Sequence, residues 1–127
     1  MSSLADKDTA ANLAVRDLEK AKKFYEGTLG LKPIGKEGDH LVAYRSGRST
    51  LLVYVSEYAG TNKATALTWT VGDDVDAMVR TLKAKGVKFE HYELPGMTRS
   101  GDVHAAGDMK AAWFKDPDGN ILSIVSG

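Results

Sequence analysis

Leu13-Ala14-Val15-Arg16-Asp17 returns 56 positions later as Trp69-Thr70-Val71-Gly72-Asp73, and this echo decides the fold reading. Both copies then reach a glycine, an aliphatic residue and a lysine at that same offset: Gly30-Leu31-Lys32 and Gly86-Val87-Lys88. Each reads as strand, aspartate-opened helix, glycine stop and strand. In the first helix Leu18, Ala21, Tyr25 and Leu29 keep the three-to-four spacing of one buried face. Glu19 and Lys23 form an i,i+4 pair on the other side, with Asp17 as N-cap and Gly30 as the stop. In the second, Val75, Met78, Val79 and Leu82 make the stripe. Asp73, Asp74 and Asp76 suit the positive end of its dipole, and Arg80, Lys83 and Lys85 the negative end.

The echo continues at a larger offset. Ala43-Tyr44 matches Ala112-Trp113 at 69, so copy two carries about thirteen extra residues (69 less 56), placed near Pro95–Gly107 and read as a loop. Ser46-Gly47-Arg48-Ser49 and Asp116-Pro117-Asp118-Gly119 are hairpin turns, followed by final strands at Leu51–Val55 and Ile121–Val125. The expected organisation is one domain: a tail over 1–9, module one at about 10–56, a linker at 57–64 and module two at about 65–126.

A chain of 127 residues, 43% hydrophobic and 27% charged, suits a single globular domain with a real core. Seventeen basic and seventeen acidic residues cancel, so no broad field draws the chain to nucleic acid or anionic lipid. Cysteine is absent, which excludes disulfides, thiolate metal sites and a cysteine nucleophile. No secretory or membrane-crossing apolar run occurs, so a cytoplasmic location is expected.

Residues Asn12 to Leu31, together with Ala112-Trp-Phe-Lys-Asp-Pro-Asp-Gly-Asn-Ile121 and the internal repeat, resemble the vicinal-oxygen-chelate superfamily. That group includes glyoxalase I, bleomycin resistance proteins, fosfomycin resistance enzymes and extradiol dioxygenases. The resemblance implies an α+β fold: two tandem β-α-β-β-β modules whose curved mixed sheets enclose a cavity, commonly in a homodimer. It also implies metal-ligand positions seven residues before each helix-opening aspartate and four residues after the last turn's glycine. Here these are Ala10, Ala66 and Ser123, with Val53 as the counterpart of Ser123 in copy one. None offers the imidazole or carboxylate that a divalent metal needs, so no metal and no other cofactor are expected. Glyoxalase, dioxygenase and fosfomycin-type chemistries are correspondingly disfavoured.

What remains is the cavity. Strand alternation assigns Asn12, Ala14, Leu51, Val55, Thr68, Thr70, Ile121 and Val125 to its lining, and Leu13, Val15, Leu52, Tyr54, Trp69, Val71, Leu122 and Ile124 to the layer beneath the helices. Tyr44, Trp113 and Phe114 are candidates for stacking on a planar ligand; alternation alone does not choose between Trp113 and Phe114. Arg99 is a candidate for an anionic group. His91 and Glu93 share a strand face, and with His104 they make a weighed but disfavoured metal set. His104 beside Asp102 is the stronger acid–base pair, with Glu93 as a further candidate. His40, next to a turn, reads as a surface residue.

These observations point to a metal-free small-molecule-binding protein of the bleomycin-resistance-like type. It would hold an aromatic or amphipathic ligand in the inter-module cavity, with Asn12, Thr68, Thr70 and Ser123 orienting polar groups. The alternative is a metal-independent isomerase or lyase using His104, Asp102 or Glu93. A third class is an interaction module whose paired sheets serve for dimerisation.

Overall fold

The computed structural model describes residues 3–127. Strand β1 (Ala10–Val15) leads into helix α1 (Leu18–Lys22), which continues as a π-helical turn over Lys23–Thr28. Strands β2 (Lys32–Glu37), β3 (Leu41–Ser46) and β4 (Ser49–Val55) complete the first sheet, ordered β1-β4-β3-β2. The second half repeats the plan with β5 (Thr65–Thr70), helix α2 (Val75–Ala84), β6 (Phe89–Glu90), β7 (Thr98–Ser100), β8 (Val103–Ala106), β9 (Met109–Lys115) and β10 (Ile121–Val125). Its sheet runs β5-β10-β9-β8-β7, with β6 also paired to β9. In both sheets the first strand lies parallel to the last, and the remaining neighbours are antiparallel. The α+β fold and the tandem β-α-β-β-β plan expected from the repeat are therefore present.

Of the tail expected over 1–9, residues 1–2 lie outside the described residues; Leu4–Asp6 form an exposed 3-10 turn capped by Ser3. No helix among the described residues is long and apolar enough to cross a membrane.

The helices follow their caps and stripes. Asp17 accepts a hydrogen bond from the Lys20 amide, as its N-cap reading requires. Ala21 and Tyr25 are buried, and Val75, Val79 and Leu82 bury the α2 stripe. The first helix departs from a uniform α reading after Lys22, where the Leu29 amide reaches back five residues to the Phe24 carbonyl. The ion pair there is Lys22–Glu19 at 3.5 Å, not Glu19–Lys23.

The extra residues of copy two are not a plain loop. β8 pairs with the start of β9 and β6 with its end, so together they occupy the edge that β2 holds alone in module one. The chain leaves that edge after Glu90, makes the β7–β8 hairpin, and returns. Short, turn-rich strands make the segment look like a loop; pairing of β7 with β8 and of β8 with β9 makes it sheet.

One apolar core joins both modules. Leu13, Val15, Tyr44 and Val53 from the first meet Val79, Phe114, Leu122 and Ile124 from the second in a single buried cluster. Each such side chain contributes about 1.5–3 kcal/mol on leaving water. Phe114 is the hub: Phe24, Trp69 and Phe89 all place ring centroids within 6.4 Å of it.

A second tie between the modules is polar. The Asp116 carboxylate accepts from the Tyr25 hydroxyl at 2.7 Å, from the Asn120 side chain at 2.8 Å, and from the Asp118 and Asn120 amides. Asn120 also donates to the Ala14 carbonyl at 2.8 Å. The Asp-Pro-Asp-Gly-Asn turn is thus a latch onto module one. Burial, reinforced by the Asp116 charge, pushes the Tyr25 phenol far above its usual range, so it stays a donor. Gly60 completes the latch, because a Cβ there would stand 1.9 Å from the Asp118 carbonyl oxygen.

Register corrects one expectation. Leu13 aligns with Val53 and Ala11 with Leu51, so Leu51 and Val53 are buried in the core while Tyr54 on β4 is exposed and Leu52 half-buried. The expected faces of β4 are therefore inverted, although those of β1, β5, Leu122 and Ile124 stand. Two residues separate β3 from β4, against the five of Asp116–Asn120 between β9 and β10. Aligning the copies through Tyr44–Leu51 and Phe114–Leu122 puts the last strands 71 apart (122 less 51), not 70. A slip of one residue swaps every side chain to the other face. By the same pairing, Tyr44 corresponds to Phe114, not to Trp113.

Candidate functional site

The sheet faces turned away from the core carry the polar candidates. On module one, Asn12 pairs with Leu52 and Tyr54 with both Ala14 and Leu41. An open hollow of about 650 Å³ lies there, lined by Asn12, His40, Leu41 and Tyr54 among others. On module two, Thr68 pairs with Ser123, Ser123 with Trp113, and Thr70 with Val125, so these side chains share one face. The Thr68 and Ser123 hydroxyls are 2.7 Å apart, and Trp113 donates its indole N–H to Thr65 at 3.1 Å.

Trp113 anchors this second face. His104 stands edge-on to it with centroids 4.9 Å apart, and Tyr92 does the same at 5.5 Å. Phe114 points the other way into the core at 1% exposure, which removes it from the stacking candidates. Strand alternation at β9 places one ring on each side of the sheet.

The cavity that does lie between the modules is on the core side of the sheets and measures about 180 Å³. Phe114, Trp69 and Leu31 line it, whereas Asn12, Thr68, Thr70 and Ser123 do not. The polar residues expected together around one cavity are instead split between the outer faces of the two sheets, with Asn12, Thr68 and Thr70 exposed and Ser123 buried.

The metal positions can be tested against this geometry. The residue beside Asn12 that corresponds to Ser123 is Leu52, and Val53 belongs to the core. The set becomes Ala10, Leu52, Ala66 and Ser123: three hydrocarbon groups and one hydroxyl already bonded to Thr68. These side chains do not fit a divalent metal. Among the described residues, no three His, Asp or Glu side chains cluster closely enough to hold one.

The acid–base candidates separate as well. Asp102 bonds to the His91 ring at 2.7 Å and to the Lys83 ammonium at 2.8 Å, not to His104. Those hydrogen bonds, Lys83 first and His91 second, hold its carboxyl below the usual carboxylate range. The cluster ties the tip of the β7–β8 hairpin to α2. Spacing groups His91 with Glu93; its partnership with Asp102 crosses a fold-back that spacing does not show. Glu93 is exposed, near Tyr92, Met97 and Arg99 in a shallow depression, and Arg99 donates to the Gly101 carbonyl.

His104 is the unexpected member. It is 1% exposed, and its Nε2 meets both the amide (3.0 Å) and the carbonyl (3.1 Å) of Tyr92. Its Nδ1 is buried and has no hydrogen-bond partner among the described residues. An orphaned ring nitrogen of this kind costs about 1–3 kcal/mol.

Residues 8–124 match the family model described as the Glyoxalase/Bleomycin resistance protein/Dioxygenase superfamily. No curated protein matches the chain significantly. Among solved structures, a lactoylglutathione lyase from Agrobacterium tumefaciens aligns over 94% of this chain and 92% of its own, at TM-score 0.71 and 20% identity. A glyoxalase/bleomycin resistance protein/dioxygenase from Alicyclobacillus acidocaldarius covers 94% and 90%, at TM-score 0.70 and 18% identity. A mutant fosfomycin resistance protein from Listeria monocytogenes, complexed with Mn(II) and a dihydroxypropylphosphonic acid, covers 96% and 90%, at TM-score 0.71 and 16% identity. At these identities the likeness is one of fold alone.

Proposed function

We infer a function from one premise: the chain belongs to the Glyoxalase/Bleomycin resistance protein/Dioxygenase superfamily. Within that superfamily we assign it to the members that bind a small molecule without a metal, as bleomycin resistance proteins do. The observation that carries this reading is the donor set, because Ala10, Leu52, Ala66 and Ser123 have nothing to coordinate with.

Recognition then falls to shape, stacking and a few hydroxyls. Trp113 is the platform, Thr68, Thr70 and Ser123 are its polar neighbours, and Asn12 serves the face of module one. Arg99 at the hairpin is placed to meet an anionic group on a bound molecule. The ligand class is aromatic or amphipathic. Asn12, Thr68 and Thr70 are exposed in a single chain, so the reading includes a homodimer in which a second copy covers them. It places residues 10–126 in one functional unit in the cytoplasm, with no nucleic-acid or membrane partner.

One observation favours a second reading, a metal-independent isomerase or lyase. The His104 ring stands edge-on to Trp113, and its Nδ1, without a hydrogen-bond partner among the described residues, is the group we assign to proton transfer in that reading. Asp102 is committed elsewhere and would not assist it.

Native mass spectrometry of freshly purified protein tests the main reading. The expected result is a dimer whose mass includes an organic molecule and no metal, with that molecule lost from Trp113→Ala. A retained molecule in Trp113→Ala, or a metal adduct of fixed stoichiometry, would count against it. If the released molecule is chemically altered by the wild type and not by His104→Gln, the enzymatic reading takes over.

A further inference from the structure

We propose that the 180 Å³ cavity on the core side of the sheets is a second small-molecule site, one that takes a neutral single-ring aromatic such as a phenol. It is independent of the function assigned above, because it lies across the module-two sheet from Trp113 and Ser123. Leu82, Phe114 and Ile124 form a buried floor, and Leu29, Leu31 and Met78 a half-buried rim.

Size limits the occupant first. An apolar cavity of roughly 150 Å³ in another protein holds benzene, so this one, which opens to solvent on one side, has room to seat a single ring. Charge limits it next. Among the described residues no ionisable side chain lines the cavity, and a charge seated against such a lining would lose part of its hydration uncompensated. Trp69, half-buried and within 12° of parallel to the buried Phe114, offers flat surface to a ligand ring.

A single polar group sets the orientation. Ser46 accepts the Trp69 indole N–H at 2.7 Å, and among the described residues its own hydroxyl proton goes to no acceptor. That proton and the oxygen's remaining lone pair are available to one ligand hydroxyl. The cavity also resists collapse. Its walls come from both modules, which the Trp69–Ser46 bond and the Tyr25–Asp116 bond hold at a fixed separation.

The two tryptophans give separate reporters in a proton–nitrogen correlation spectrum. Titrated phenol is expected to move the Trp69 indole N–H saturably, and to do so equally in Trp113→Ala, where the outer face has lost its ring. Benzoate, of similar size but charged, is expected to leave the Trp69 signal in place. Val71→Phe, which adds a ring at the cavity wall, should abolish the phenol response in folded protein. Ser46→Ala should weaken phenol about fivefold and toluene by less than about twofold. A linear, non-saturating Trp69 shift, an equal Trp69 response to benzoate, loss of the Trp69 response in Trp113→Ala, or a phenol response that survives Val71→Phe would each overturn the assignment.

Discussion

Trp113 and Phe114 are neighbours in β9, yet they belong to different parts of the molecule. Phe114 is packed against Phe24, Trp69 and Phe89 and is the hub of the core. Trp113 looks the other way, toward His104, Tyr92 and the Ser123 hydroxyl. The difference teaches that this sheet has a side committed to folding and a side left for recognition. Strand alternation is the physical device that separates them.

Mutating the two rings should break the comparison most visibly. Phe114→Ala is expected to cost about 3–5 kcal/mol, because its neighbours cannot close the space. Trp113→Ala should cost about 1–2 kcal/mol, chiefly its two edge-on contacts, while removing ligand binding. Urea unfolding of both variants measures the contrast; equal losses would mean that the two sides are not distinct.

The turns of the two modules sharpen it further. Asp116→Ala would strand the Tyr25 hydroxyl and the Asn120 amide in a buried latch, an expected loss of about 3 kcal/mol. In module one, Ser49 donates only to the exposed Ser46 carbonyl, and Ser49→Ala should cost no more than about 0.5 kcal/mol. The same unfolding measurement checks both.

The smallest effect is expected at the hairpin. Asp102 is held below the usual carboxylate range in the folded chain. Its contribution is therefore complete above the unfolded value near ~4 and is lost as pH falls through the folded one. Asp102→Asn should show a shallower acid decline than the wild type, by about 0.5–1 kcal/mol for so partly exposed a cluster. Stability profiles between neutral pH and acid compare the two directly.

Much of this was legible from residues alone. The 56-residue echo gave the tandem plan, Asp17 its cap, and Val75, Val79 and Leu82 the buried side of α2. The faces of β4 were not, because the two hairpin connections differ in length and a period-two pattern converts one residue into the opposite side. Contacts between distant positions were equally hidden. Tyr25 meets Asp116 across 91 residues, and His91 meets Asp102 only because a hairpin folds back. The His104 position was singled out as a histidine near Asp102, but its burial against Tyr92 depends on the split edge strand, which spacing does not reveal.

The most direct test concerns metal. Protein equilibrated with equimolar Mn(II), Ni(II) and Zn(II), then dialysed, should carry none of them at a fixed ratio when its elements are counted. One ion per chain, lost on substituting side chains around Ser123, would contradict recognition without coordination.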